Sequence, residues 1–237
     1  MKIANSVVFV TGANRGLGRE LVHELLQRDA SRVYAAARDT SSLKGVDSRV
    51  IPVTLDLTNH DQIIKAAQLA VGTTLLINNA SAAIFADAFS ADRSKVKLEM
   101  DTNYLGLFDM INAFTPIIEK SGGGAIVNIL SLLALSSTPP MTGYSASKAA
   151  AHSLTQAIRP GLAKRGIVVQ GVYPGGIDTD MLSGFDIPKT APSEVAKGIL
   201  NGVAAGLEDI YPDPTSEQMS GMWAHDPKAF ELAFRGE

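Results

Sequence analysis

Cysteine is absent from the 237 residues. That excludes a disulfide framework, a thiolate nucleophile and thiolate metal ligation. Histidine is scarce: His23, His60, His152 and His225 are scattered, with no pair at ligand spacing, so no metal site is expected. Neither sign of charge dominates. Twenty-one Lys and Arg against 24 Asp and Glu leave a net charge of −3, which argues against nucleic acid or an anionic membrane as the main partner. Long apolar runs are also lacking; the most apolar stretch, 125–135, is interrupted by Asn128 and Ser131 and is too short to span a bilayer. The first residues run straight into a strand pattern without a signal-peptide layout. Internal repeats, low-complexity tracts and interdomain linkers are missing. The expectation is one domain, 1–237, in a soluble cytoplasmic protein.

What the chain does have is a core composition, 46% hydrophobic and 19% charged, and a regular alternation of elements. Strand-like apolar runs fall at 7–10, 32–37, 50–55, 75–78, 125–130 and 167–172, with a weak one at 209–211. Pro52 hints that the third lies near a sheet edge. Helical patterns lie between them, at about 18–28, 59–71, 102–119, 144–164 and 192–206. Thr58 with Asp61 resembles a capping box, and Pro192 suits a first helical position. Strands apolar on both faces, alternating with helices, predict an α/β fold: a doubly wound, mostly parallel sheet with helices on both faces. Pro160 should kink or end the helix that contains it. Residues 212–227 read as loop, leading to a short tail helix before residue 237.

Two stretches carry chemistry. Thr11-Gly12-Ala13-Asn14-Arg15-Gly16-Leu17-Gly18 lies between the first strand and the first helix, where glycines let backbone N–H groups approach a dinucleotide phosphate at the positive end of a helix. In Tyr144-Ser145-Ala146-Ser147-Lys148, a helical spacing of four puts the phenol and the ammonium on one face. A cation about 4–6 Å away favours the phenolate and lowers its pKa, making tyrosine a usable acid/base group. Ser131 could add a third polar contact.

These two stretches, with Asn78-Asn79-Ala80 between them, Ser131, and Pro174-Gly175 after them, resemble the short-chain dehydrogenase/reductase family in order and spacing over about residues 5–205. The resemblance implies a Rossmann-type fold and hydride transfer between a nicotinamide and a carbonyl or alcohol. It assigns Tyr144 as proton donor, Lys148 as the group that lowers its pKa and holds the nicotinamide ribose, and Ser131 as hydrogen-bond donor to the substrate oxygen. Asn103 matches the family's helix asparagine, thought to hold a water in the proton relay; a helix-capping role is the plainer reading. Gly12, Asn14, Arg15, Gly16, Leu17 and Gly18 would form the phosphate turn. Asp56 and Leu57 would meet the adenine, and Asn79, Ala80 and Ser81 would run beneath the adenosine ribose. Pro174, Gly175, Ile177 and Thr179 would grip the nicotinamide amide. The family more often has glycine where this chain has Ser81.

The slot that carries a carboxylate in NAD-binding relatives aligns with neutral Ala37, and Arg38 follows it. Arg38 and Arg15 together suit a 2′-phosphate, so NADP(H) is expected over NAD(H). Residues 180–190 stand where the family has a substrate lid. Met181, Leu182 and Phe185 on it, with Ala82, Leu132 and Leu133, would make an apolar pocket for a ketone or aldehyde. A homo-oligomer, dimer or tetramer, is expected. The alternative is a catalytically silent NADP(H)-binding regulator; epimerase or lyase relatives carry a longer C-terminal region than this chain has.

Overall fold

The computed structural model describes residues 1–235. Among them, seven parallel strands form one sheet: β1 Val7–Thr11, β2 Arg32–Ala37, β3 Val50–Thr54, β4 Leu75–Asn78, β5 Gly124–Ile129, β6 Ile167–Val172 and β7 Asp209–Ile210. Their order is β3-β2-β1-β4-β5-β6-β7. The strands are apolar on both faces because both faces are covered. On one side, α1 (Gly16–Gln27) and α6 (Pro192–Ala205) bring Leu21, Leu25, Ile199 and Val203 into a core with Val8 and Val10. On the other, α2 (His60–Leu69), α4 (Gly106–Lys120) and α5 (Thr142–Ala163) bring Ile63, Phe114 and Ala151 into a core with Phe9 and Leu76. Successive residues of β1 thus serve opposite cores, as the strand period requires.

Strand β1 pairs with β2 on one flank and β4 on the other. Strand order reverses there, which opens a crevice at the carboxyl ends of β1 and β4. The expected doubly wound, Rossmann-type sheet is the one observed, and Pro52 does lie on an edge strand.

Four local expectations are corrected. The helix expected from 102 is preceded by α3 (Arg93–Met100) and a π-helical turn, Asp101–Leu105, that carries the chain into α4. Its charged composition hides the pattern, but Asp92 caps it by accepting from Ser94 N at 2.7 Å. The start of α2 is not a Thr58/Asp61 box: Asn59 is the N-cap, accepting from Gln62 N at 3.1 Å, and Thr58 bonds Asp56 instead. Pro160 does not end α5, which runs on to Ala163; its missing N–H costs the helix one bond, to the carbonyl of Gln156, and only three residues of helix follow it.

The fourth is the tail. Residues 212–227 are not loop: α7 (Pro214–His225) and α8 (Pro227–Ala233) follow β7. Both prolines sit at first helical positions, each behind a capping aspartate. Asp213 and Ser216 form a reciprocal capping box, and Asp226 accepts from Lys228 N and Ala229 N. Phe230 is fully buried in the core beneath α5. Residues 236–237, which the expected tail included, lie outside the described residues.

Candidate active site

The glycine turn leaves β1 at Thr11 and becomes α1 at Gly16. Gly12 (φ 64°) and Gly16 (φ 52°) adopt left-handed backbone that a side chain would strain. Gly18 is needed for space: a Cβ there would run into the Gly12 carbonyl oxygen and lie 2.6 Å from Asn79 Nδ2. Asn79 braces the turn. Its Nδ2 donates to Thr11 O (2.9 Å) and Gly12 O (3.1 Å), and the N–H groups of Asn79 and Ala80 donate to Thr11 Oγ1 (2.9 and 3.0 Å). Arg15 occupies the N-cap of α1 without a side-chain cap bond, so the first amides of the helix are not taken up by it. Leu17 turns its side chain into the core, which leaves only its backbone to the turn.

Arg38 follows β2 and is exposed; Asn14 lies near, because Ser42 Oγ donates to Asn14 O (3.3 Å) across the gap between the two segments. Asp39 is engaged by Ser41 N at 2.8 Å and not by either arginine. Arg15 reaches the lid, 3.7 Å from Asp180, in an ion pair too exposed to hold much. Asp56 Oδ1 accepts from Thr58 N and Oγ1; these bonds, with the nearby Arg38 charge, keep its carboxyl low. Leu57 is buried and packs against Gly106 of α4, so its side chain supports the wall and does not face out of it.

Ser131 ends the segment after β5 and caps a short 3-10 turn by accepting from Leu133 N (3.1 Å), which keeps its proton free. Tyr144 and Lys148 lie one turn apart near the start of α5, 9% and 4% exposed. Ser131 and Ser81 both act to lower the pKa of the Tyr144 phenol. Lys148 Nζ donates to Ile129 O at 2.7 Å and stands 5.5 Å from the centre of the Tyr144 ring. The sequence expectation of a phenol acidified by its lysine is corrected here. Burial dominates both groups: it pushes Tyr144 up to about 12, against the pull of Ser131 and Ser81, and brings Lys148 down to about 7.

Asn103 sits in the π-helical turn and caps no helix. Its Oδ1 accepts from Ala82 N (2.8 Å) and Ser81 Oγ (3.1 Å), and its Nδ2 donates to Ala82 O (2.8 Å) and Ser147 Oγ (2.9 Å). It therefore clamps the loop after β4 to α5. Behind Lys148, a small cavity is lined by Asn78, Asn103, Asn128 and Lys148; Asn78 Oδ1 is buried without a protein partner.

The loop after β6 closes the other side. Thr179 is the nearest neighbour of a Cβ built on Gly16, at 3.2 Å, so this loop touches the glycine turn. Pro174 O accepts from Leu132 N (3.2 Å), and an Ile177–Thr190 bridge pinches the neck of the lid. Lys189 Nζ ties the lid to itself by donating to Leu182 O and Phe185 O. Met181 is exposed, while Leu182 and Phe185 are half-buried. Of the apolar walls expected, Ala82 and Leu133 are half-buried, but Leu132 is a core residue, 3% exposed, and is withdrawn from the pocket.

Three residues were missed. Asp213 is buried and accepts from Gly175 N at 2.9 Å, anchoring the loop after β6 to α7; the Asp-Pro-x-Ser capping signature would have found it. Phe85 meets Phe185 with ring centres 4.5 Å apart, joining the loop after β4 to the lid. Glu99, 1% exposed, accepts from Ile84 N at 2.7 Å, and burial raises its pKa; a charged letter in a charged helix gave no signal. No group of acidic or histidine side chains suited to a metal occurs among the described residues, and no helix there is long and apolar enough to cross a membrane.

A glycine turn at the switch point, faced across the crevice by Ser131, Tyr144 and Lys148, is the arrangement of a dinucleotide-dependent oxidoreductase. Residues 6–188 match the family described as short chain dehydrogenase, and the chain belongs to that family. An uncharacterized oxidoreductase of Staphylococcus aureus (strain MW2) is 30% identical, over 84% of this chain and 90% of its own. A short chain dehydrogenase from Burkholderia cenocepacia J2315, solved in complex with NADP, is 39% identical with a TM-score of 0.94, over 99% of both chains. One from Burkholderia phymatum, solved with NAD, shares the fold at 21% identity and a TM-score of 0.84.

Proposed function

We propose that the protein is an NADP-dependent reductase of apolar ketones or aldehydes, running in reverse as an alcohol dehydrogenase. The convergence of Ser131 and Tyr144, with Lys148 beneath, at the mouth of the glycine turn carries this reading. The turn fits a dinucleotide: Gly12, Gly16 and Gly18 let the backbone close into a tight cradle, since a Cβ on them would meet Ala80, Thr179 or the Gly12 carbonyl, at the start of a helix whose N-cap side chain leaves its amides free. Asn14, Arg15 and the amide of Leu17 complete that cradle. Asp56, Ala80, Ser81 and the loop of Pro174, Gly175, Ile177 and Thr179 line the rest of the crevice. Arg38 and Arg15 favour a 2′-phosphate, and the NADP bound to the Burkholderia cenocepacia relative supports that preference.

When bound, the nicotinamide supplies or accepts the hydride. Tyr144 gives its proton to the substrate oxygen in reduction. A phenol held near 12 is fully protonated at neutral pH, which favours that direction. Ser131, its own proton unspent, donates to the same oxygen as charge develops. Lys148, poised near 7, takes up positive charge as the phenolate forms. The Phe85–Phe185 contact and exposed Met181 make the lid apolar, which suits hydrophobic substrates. Exposed Leu105 in the π-helical turn and Phe108 at the start of α4 support a homo-oligomer, and a cytoplasmic setting accords with the cysteine-free chain.

NADPH oxidation followed by absorbance with a panel of apolar ketones and aldehydes tests the proposal. Turnover is expected. Tight NADPH binding with no turnover across the panel identifies the silent regulator instead.

A further inference from the structure

We propose that Glu99 is a positioning residue for the substrate pocket: its buried carboxyl group holds the wall bearing Phe85 against the first turn of the tyrosine helix, and so sets the gap between Tyr144 and the lid. The inference rests on the oxidoreductase reading above and concerns a residue outside the cofactor and proton-transfer groups.

Glu99 is the buried residue of the charged helix α3, 1% exposed. Each of its carboxyl oxygens meets a different segment. Oε1 accepts from Ile84 N at 2.7 Å, in the loop after β4. Oε2 lies against Gly143, in the first turn of α5 and directly before Tyr144. A Cβ on Gly143 would run into that oxygen and stand 3.3 Å from Val96 Cγ2. The loop is tied to the same helix start a second time, by a bridge between Ala86 and Met141, the N-cap of α5. Phe85 lies between the two ties, and its ring meets Phe185 of the lid with centres 4.5 Å apart. The aromatic wall is therefore held to the tyrosine helix by Glu99 on one side and the bridge on the other.

A carboxyl group is a costly choice for this place. Burial raises its pKa, and the pull against that rise comes from the Ile84 N–H and not from a cation. An apolar side chain would pack α3 on α5 without that cost. It could not accept from Ile84 N, and the wall would lose its tie. The start of α5 has no side-chain cap, so the partial positive charge of its first amides lies beside Glu99 and favours an acid there. Gly143 follows from the same arrangement. It has ordinary helical backbone, and what it supplies is room for the Glu99 oxygen.

Glu99→Ala, Glu99→Gln and Gly143→Ala test this in the full chain. Glu99→Ala removes the acceptor for Ile84 N, so KM for bulky apolar ketones should rise about 3–10-fold, with kcat within about threefold of wild type and NADPH Kd unchanged. Glu99→Gln keeps an oxygen for Ile84 N in a side chain of the same size and should restore KM. Gly143→Ala displaces the carboxyl and should raise KM as Glu99→Ala does. In a Glu99→Ala background it should add nothing, because the space is already open. A purely structural role would lower kcat and NADPH affinity along with KM performance and would show no such coupling. An unchanged KM in Glu99→Ala, or effects of the two substitutions that simply multiply, overturns the proposal. A second readout needs no turnover: amide exchange followed by NMR. Ile84 N–H should lose protection by at least about tenfold in Glu99→Ala and keep it in Glu99→Gln, while Ala82 N–H, held by Asn103, stays protected in both. Unchanged Ile84 exchange in Glu99→Ala refutes the tie. If wild type reduces no panel substrate yet Ile84 exchange responds in this way, the oxidoreductase reading fails and the Glu99 tie stands.

Discussion

Replacing Lys148 by methionine, a side chain of similar length without charge, should make the protein more stable below neutral pH while removing activity. Lys148 is 4% exposed, and burial lowers its pKa from its ordinary 10.5 to about 7. At ~1.4 kcal/mol per pH unit, that gap corresponds to about 5 kcal/mol spent holding the ammonium inside at low pH. Methionine forgoes the 2.7 Å bond to Ile129 O, worth ~1–2 kcal/mol, and the cation above the Tyr144 ring, worth ~1 kcal/mol. A net gain of about 2–3 kcal/mol remains, or several degrees in Tm for a chain of this size. The gain should be pH-dependent. Between about 7 and 10.5 the unfolded lysine binds more proton than the folded one, so wild-type stability rises with pH across that window. Below 7 the penalty is present in full. By pH 9.5 it has shrunk to about 1.4 kcal/mol, less than the ~2–3 kcal/mol of contacts that methionine gives up, so the order should reverse and wild type should be the more stable by about 1 kcal/mol. Urea unfolding of both at pH 6 and 9.5 measures this. A wild type more stable at pH 6, or a difference that ignores pH, refutes the claim that burial governs this lysine.

Other outcomes follow from single contacts. Arg38→Asp should weaken NADPH by about 10–100-fold, the size of one or two charge-assisted bonds, and NADH far less; equal losses in calorimetric titrations exclude Arg38 as the phosphate reader. Gly18→Ala forces the turn away from the Gly12 carbonyl and Asn79, so NADPH affinity should fall at least tenfold with a lower Tm, read by calorimetry and thermal melting. Asp213→Ala frees Gly175 N and uncaps α7, costing about 1–3 kcal/mol in unfolding free energy and raising KM for the nucleotide. Phe185→Ala removes the ring contact with Phe85 and should raise KM for bulky apolar ketones about 2–10-fold with kcat little altered.

The sheet was legible because its strands are buried on both faces, so Val33–Ala37 and Leu75–Asn78 read as unbroken apolar runs whatever their neighbours. The site was legible where chemistry needs fixed spacing, as in the glycine turn and the Tyr144–Lys148 pair. It was less legible where one residue works for another. Asn79 reads as a nucleotide contact but spends its amide on the glycine turn. Leu132 reads as a pocket wall but faces the core. Prolines at 214 and 227 read as loop because a sequence shows the missing N–H and not the capping aspartate that makes its loss harmless. The electrostatic expectation failed for a related reason: spacing places Lys148 beside Tyr144, but only the fold shows how little water either retains.

The central claim is that the Tyr144 hydroxyl transfers the proton while other groups bind and orient. Single-turnover oxidation of bound NADPH by Tyr144→Phe, compared with wild type at matched nucleotide occupancy on a ketone the wild type reduces, tests it most directly. The account predicts a rate lower by about 100- to 10,000-fold with an unchanged NADPH Kd. A rate within threefold of wild type at full occupancy contradicts it.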